Sequence, residues 1–338
     1  LMSNTETDIT LPAGSANKSH TKSWQRFLLN LIPHVEKRVQ SVPRHKAIGY
    51  GRSLGNLAFR FAKKARDTAF KNLRFVYGDA LTEAERDRIV REVFQHFCIM
   101  AIDFLRGPLL KSPDDLNALI LSVEGWEENI EPLLREKRGI VICTAHFGNW
   151  EMLGRYIVSR GVPLTVVVRN PEDESFSAWA KRMREGAGFT VSAKGESAKR
   201  LLTVLKRGEA LGILPDQSSA DVFIPFFGIP TGTATGPALL AGRSNAGLIP
   251  CWCFADPAHD YRYRIIFEPL IPIVETGNKQ ADLAVVMTVV NTRLEARIRE
   301  TPEQWLWLHD RWKGTFQKHN RERLPEGLDL STLWERFR

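Results

Sequence analysis

Gly139-Ile-Val-Ile-Cys-Thr-Ala-His-Phe-Gly-Asn-Trp-Glu151 is the stretch that decides the fold. Residues 139–145 are β-branched or small and uncharged, the composition of a central strand covered on both faces. His146 stands at the carboxyl end of that run, where open α/β sheets carry their chemistry, and Asn149-Trp150-Glu151 opens the next helix. A neutral imidazole there can take a proton from a hydroxyl near pH 7. A carboxylate on its other nitrogen would fix the tautomer and stabilise the imidazolium. The same pattern has a plainer reading, since a glutamate in a first helical turn also complements the helix dipole.

Further strand-like runs at 164–168, 189–192 and 210–214 alternate with helix-length polar segments. Such alternation predicts an α/β fold, a largely parallel central sheet flanked by helices. Beyond Asp216 the pattern loosens into Val222–Phe227, a Gly/Thr-rich loop over 228–236, strands near 248–254 and 261–267, and a helix over about 280–300. Residues 44–118 read as a helical layer ahead of this domain, with apolar positions at Leu54, Leu57, Ala58, Phe61, Ala65, Ala69, Phe70 and Leu73. Thr82-Glu-Ala-Glu85 marks a helix start, with Ile89, Val90, Val93, Phe94 and Phe97 on one face. The expected organisation is a disordered lead-in over 1–20, a helical region over 21–118 and an α/β domain over 119–338.

Lys and Arg number 47 against 39 acidic residues, a net charge of +8 that implies an acidic partner: an anionic membrane face, a phosphorylated lipid, nucleic acid or an acidic carrier protein, among which charge alone does not choose. Part of that charge lies on one predicted helical face: Arg60, Lys63, Lys64, Arg66, Lys71 and Arg74. Cys98, Cys143, Cys251 and Cys253 have no zinc spacing, so neither a metal site nor a disulfide framework is expected, and the chain reads as resident in a reducing compartment. No apolar run reaches the roughly 18 residues of a standard transmembrane helix. Trp24-Gln-Arg-Phe-Leu-Leu-Asn-Leu-Ile-Pro33, flanked by Lys18, Lys22, Lys37 and Arg38, suits either an interfacial anchor or a helix docked on the protein's own core.

Several blocks in order make the chain resemble the bacterial lipid A biosynthesis (lauroyl/myristoyl-type) acyltransferases, within the lysophospholipid acyltransferase superfamily. They are His146 to Glu151, Leu214-Pro-Asp-Gln217, Phe226-Phe-Gly-Ile-Pro230, Gly236-Pro-Ala-Leu-Leu-Ala-Gly-Arg243, and Pro302-Glu-Gln-Trp-Leu-Trp-Leu-His309 with Arg311-Trp-Lys313. The resemblance implies His146 as general base with Glu151 as its orienting carboxylate. Five residues advance about 500° on a regular helix, so the two share no face unless His146 sits in the preceding turn. Asp216, after the strand 210–214, should emerge on the same edge of the sheet and is a rival partner; the choice stays open.

Arg169 closes the strand 164–168 and Arg184 lies on a helix before Gly188, where similar enzymes carry an arginine; guanidinium groups at these places would suit acceptor phosphates. Asn149 and Gln217 are further substrate-binding candidates. Phe147, Trp150, Phe223 and Phe226 are candidates for an acyl groove, although aromatics at such density also build cores. The implied activity is transfer of a fatty acyl chain from a thioester, on acyl carrier protein or coenzyme A, to a phosphorylated glycolipid of the lipid A precursor type. It needs no cofactor, metal or nucleic acid, and takes place at the cytoplasmic face of the inner membrane through peripheral or monotopic attachment. Acylation of another glycolipid such as a phosphatidylinositol mannoside, a thioester hydrolase and a non-catalytic lipid-binding protein are the alternatives.

Overall fold

The computed structural model describes residues 23–168, 174–193 and 198–337, without the side chains of 23–30 and 174–175. The lead-in over 1–20 lies outside them. The centre is a seven-stranded sheet in which five strands run parallel. These are β2 (Ile140–Cys143), β3 (Leu164–Val168), β4 (Phe189–Ala193), β5 (Ala210–Ile213) and β8 (Gly247–Asp256). Two further strands, β1 (Ile120–Glu124) and β9 (Arg262–Phe267), pair in parallel with each other, and β9 runs antiparallel to β8. The order across the sheet is β1-β9-β8-β2-β5-β3-β4.

β2 is buried along its whole length, and its side chains alternate between two cores. Ile140 and Ile142 pack with Met152, Tyr156 and Ile157 of the helix Trp150–Ser159. Val141 and Cys143 pack with Leu205, Leu240 and Met287 from helices on the opposite face. An apolar run without polar alternation is therefore what this strand requires.

The Gly/Thr-rich stretch expected as a loop contains a strand. β7 (Ile229–Thr233) pairs antiparallel with β6 (Val222–Phe226). Phe227 (φ 53°) and Gly228 (φ 72°) both take the left-handed conformation, which matches a two-residue hairpin turn of type I′. The turn is a Phe-Gly pair rather than Asn-Gly, and Pro230 and Gly232 break up the β-branched residues of 229–233. The hairpin is held by the helix Lys279–Glu300, where Asn291 donates to the Pro225 carbonyl and Glu295 accepts from the Phe227 N–H.

Four helices form the N-terminal layer: α1 (Ser23–Gln40), α2 (Arg44–Phe61), α3 (Lys63–Tyr77) and α4 (Glu83–Leu105). α4 begins with the anticipated capping box, in which Thr82 and Glu85 satisfy each other's backbone N–H groups, and it buries Ile89, Val90, Val93 and Phe94. α2 packs differently from the apolar pattern. Its buried positions are Ala47, Ile48, Gly51, Gly55 and Phe59, while Leu54, Leu57 and Phe61 are 48%, 54% and 71% exposed.

Glycine explains the exchange, because it lets two helix backbones approach more closely than leucine could. A Cβ on Gly55 would stand 2.4 Å from the Gln95 Cα, and one on Gly51 2.9 Å from the Ile99 Cα. The larger apolar residues are left facing outward. Gly55→Ala should therefore lower Tm, since overpacking costs about 1–3 kcal/mol against the roughly 1 kcal/mol that alanine gains as a helix former. A thermal melt showing a raised Tm would contradict the tight α2/α4 seam.

Candidate active site

Register brings the central pair together. Cys143 of β2 lies opposite Ile213 of β5, and the Thr144 N–H extends the ladder to the Ile213 carbonyl. Three residues beyond these partners the two chains present His146 and Asp216. His146 Nδ1 is 2.8 Å from Asp216 Oδ1, and the His146 backbone N–H donates to Oδ2 at 2.9 Å. The Trp305 indole donates a third bond, to Oδ2 at 3.0 Å.

Trp305 arrives through a short backbone ladder. Phe147 and Trp305 form an antiparallel bridge, the Leu306 N–H donates to the His146 carbonyl, and the Gly148 N–H donates to the Gln304 carbonyl. Asp216 is thus buried with three donors aimed at its two oxygens. Burial would push its pKa up, but the charge of His146, the bonds to that residue's ring and backbone, and the Trp305 bond outweigh it and hold the carboxyl below the usual range. Burial would likewise lower the His146 pKa. The charge and hydrogen bond of Asp216, with a smaller contribution from Glu151, reverse the sign and raise it.

Nδ1 is committed to Asp216, which leaves Nε2 as the nitrogen that can accept a proton from a reactant. The His146 side chain remains 23% exposed, and its ring meets Trp150 edge to face at 5.1 Å. An imidazole held on one nitrogen by a buried carboxylate and open on the other has the geometry that general-base chemistry requires.

Glu151 has another partner. Arg184, near the end of the helix Glu174–Glu185, donates through Nε to both of its oxygens at 2.9 and 3.2 Å and through Nη2 to Oε1. Glu151 sits in the first turn of the helix Trp150–Ser159, rotated away from the His146 ring but near enough for its charge to reach it. The guanidinium also lies 5.7 Å from the Phe104 ring centroid. An arginine has five N–H donors, so Arg184 retains some for a bound anion. Arg169 lies outside the described residues.

Asn149 is occupied by the protein itself. It is the N-cap of that helix, accepting from the Met152 N–H, while its amide donates to the Tyr263 hydroxyl. Gln217 is partly exposed beside Asp216. Among the aromatics, Phe147 and Phe226 are completely buried, packed with Trp252, Phe254, Trp305 and Trp312. Trp150 and Phe223 are partly exposed, and of these two Trp150 meets the His146 ring.

Two residues beside the pair, Trp305 and His309, stand in one of the blocks that carry the resemblance but were given no site role from the sequence. His309 Nε2 accepts from the Ser218 N–H at 3.3 Å, which places its ring proton on Nδ1. Burial, then the nearby positive charges of Arg311 and His146, hold its pKa below the ordinary histidine value against an opposing pull from Asp216. The available signal was the chain's dense Trp-rich segment, but spacing does not reveal which of its members turn toward Asp216. Among the described residues, no group of three or more His, Cys, Asp or Glu could hold a metal ion.

The chain resembles known proteins over most of its length. The family model for bacterial lipid A biosynthesis acyltransferases matches residues 12–314. The lipid A biosynthesis lauroyltransferase of Escherichia coli (strain K12) is 27% identical over 307 residues, 90% of this chain and 96% of that protein. The palmitoleoyltransferase of the same strain is 25% identical over 268 residues, 78% of this chain and 83% of the relative. A phosphatidylinositol mannoside acyltransferase of Mycolicibacterium smegmatis is 28% identical over 195 residues, 55% of this chain and 61% of the relative.

The two opposite pKa shifts have a consequence for stability. A raised His146 pKa contributes stability that is present below its unfolded value of about 6.5 and lost as pH rises through the folded value. A lowered Asp216 pKa contributes stability present above about 3.9 and lost as pH falls through its folded value. NMR titration of the His146 ring should give a midpoint above 6.5, and Asp216→Asn should move it downward. A midpoint unmoved by that substitution would exclude the charge coupling.

Proposed function

Because the chain belongs to the bacterial lipid A biosynthesis acyltransferase family and is an O-acyltransferase of that type, we propose that His146 is the general base in the transfer of a fatty acyl chain from a thioester to a hydroxyl of a lipid A precursor. The observation that carries this reading is the buried Asp216 carboxylate on Nδ1, which leaves Nε2 for the acceptor hydroxyl. His146 removes the hydroxyl proton as the oxygen attacks the thioester carbonyl. Asp216 stabilises the imidazolium that forms. As the tetrahedral intermediate collapses, the C–S bond breaks and the imidazolium returns its proton to the departing thiolate, giving ester and free thiol. Neither a metal nor a covalent acyl-enzyme enters this sequence.

Arg184, braced by Glu151, has the donor geometry for a phosphate of the acceptor, and we assign it that role. The donor is an acyl carrier protein thioester, a reading supported by the net charge of +8 against an acidic carrier. The mannoside acyltransferase relatives favour a second reading, in which the acceptor is a different glycolipid of the phosphatidylinositol mannoside kind; acyl-CoA is the donor we pair with it.

No helix among the described residues is long and apolar enough to cross a membrane. Tyr50, Leu54, Leu57 and Phe61 form one exposed apolar stripe along α2, with Arg60, Lys63 and Lys64 exposed at its end. Such a face fits peripheral docking on an anionic bilayer that contains the acceptor. The rest of the basic face is partly neutralised, since Lys71 pairs with Asp310 and Arg74 with Glu83.

Purified protein incubated with acyl carrier thioester and lipid A precursor should form an acylated product that disappears without the acceptor. His146→Ala should lower turnover by roughly 10²- to 10⁴-fold while retaining the wild-type circular dichroism spectrum. Near wild-type turnover in that variant would refute the base assignment. Thiol release without acceptor would instead identify a hydrolase, and preferred use of acyl-CoA with a mannoside would select the second reading. For docking, Leu57→Glu/Phe61→Glu should abolish sedimentation with phosphatidylglycerol vesicles yet preserve turnover of detergent-dispersed acceptor. Unchanged sedimentation would remove α2 from the membrane contact.

A further inference from the structure

The turn between His146 and the helix Trp150–Ser159 is gripped from the N-terminal layer at two consecutive residues. At Gly148 the grip comes from His96 of α4, which is buried with Nε2 3.0 Å from the Gly148 carbonyl. A carbonyl can only accept, so this nitrogen carries the proton. Burial lowers the His96 pKa to about 4, and the ring is neutral at any pH where His146 can act as a base. Gly148 has φ +58°, and a Cβ there would stand 1.9 Å from the Cys253 carbonyl oxygen, so the turn has little room to settle elsewhere.

At Asn149 the grip is a chain of hydrogen bonds. The Asn149 amide donates to the Tyr263 hydroxyl at 2.8 Å, and that hydroxyl donates to Asp103 of α4. Asp103 is buried and paired with Arg44 of α2 through both oxygens, at 3.1 and 2.7 Å. The same Asn149 caps the helix that carries Glu151. His96 and Asp103 are seven residues apart, two turns along one face of α4, so a single rigid helix holds both points.

We propose that α4 is the positioning element of the acyl-transfer site, with His96 setting Gly148, and Arg44, Asp103 and Tyr263 setting Asn149. Their joint effect is the distance and angle between the base on one side of the turn and the Glu151–Arg184 pair on the other. The N-terminal layer therefore does more than offer a surface to partners. Misplacement of a reacting group by about 1 Å can cost on the order of 10²-fold in rate, so loss of either grip should appear in turnover rather than in affinity for the thioester.

The inference rests on His146 being the base, and His146→Ala is run beside it. His96→Leu, which keeps bulk but removes the donor, should reduce kcat about 10- to 100-fold with the thioester KM within about 3-fold of wild type. His96→Gln, whose amide nitrogen can reach the same carbonyl, should recover kcat to within about 3-fold. Tyr263→Phe tests the second grip independently and should also lower kcat at constant KM; it decides the matter should His96→Leu fail to fold. Wild-type kcat in both His96→Leu and Tyr263→Phe, or a His96→Gln variant as slow as His96→Leu, would overturn the positioning role. If His146→Ala were itself active, the mechanism would fall first, whereas an inactive His146→Ala beside an unaffected α4 would sink only the present inference.

Discussion

The hydrogen-bonded pair of His146 and Asp216 is the constraint around which the molecule is organised. It joins the ends of adjacent parallel strands, and its geometry follows from equal three-residue extensions past the register partners Cys143 and Ile213. A buried carboxylate is costly unless each oxygen is satisfied. Here the His146 ring, the His146 backbone and the Trp305 indole supply those bonds. The Trp-rich segment is consequently part of the site, because it delivers an indole to Asp216 and zips its own backbone against residues 146–148.

Around this pair, charge is distributed by partner rather than by proximity in sequence. Glu151 neutralises Arg184 and Asp103 neutralises Arg44. Arg311 is fully buried, donates to the Gly232 carbonyl and the Thr233 hydroxyl, and has its pKa lowered to about 10 by burial in spite of the Asp216 charge. The two carboxylates expected near the base therefore divide their work. Asp216 bonds the His146 ring and backbone, and Glu151 braces the Arg184 guanidinium.

The sheet was largely legible in the sequence because a strand buried on both faces has an unmistakable composition, as in 139–145, and because strand and helix alternate at readable lengths. The β7 strand was not legible, since its pairing depends on a left-handed Phe227-Gly228 turn and on side chains from a helix some 65 residues later. The inward face of α2 was hidden for a related reason. Periodicity identifies large apolar residues, whereas this helix packs through Gly51 and Gly55 and turns its leucines outward.

By itself, the sequence determined that His146 follows a central strand, that a glutamate comes next in a helix start, and that a second acidic residue follows another strand on the same edge of the sheet. Residue types and local periodicity carry that much. Which carboxylate meets the imidazole depended on the tertiary structure, because strand register and the rotation of a helix after its cap are set by packing across the sheet. The same holds for the grip of His96 and Tyr263 on the turn. Those contacts join residues 52 and 114 positions apart, and no local pattern encodes them.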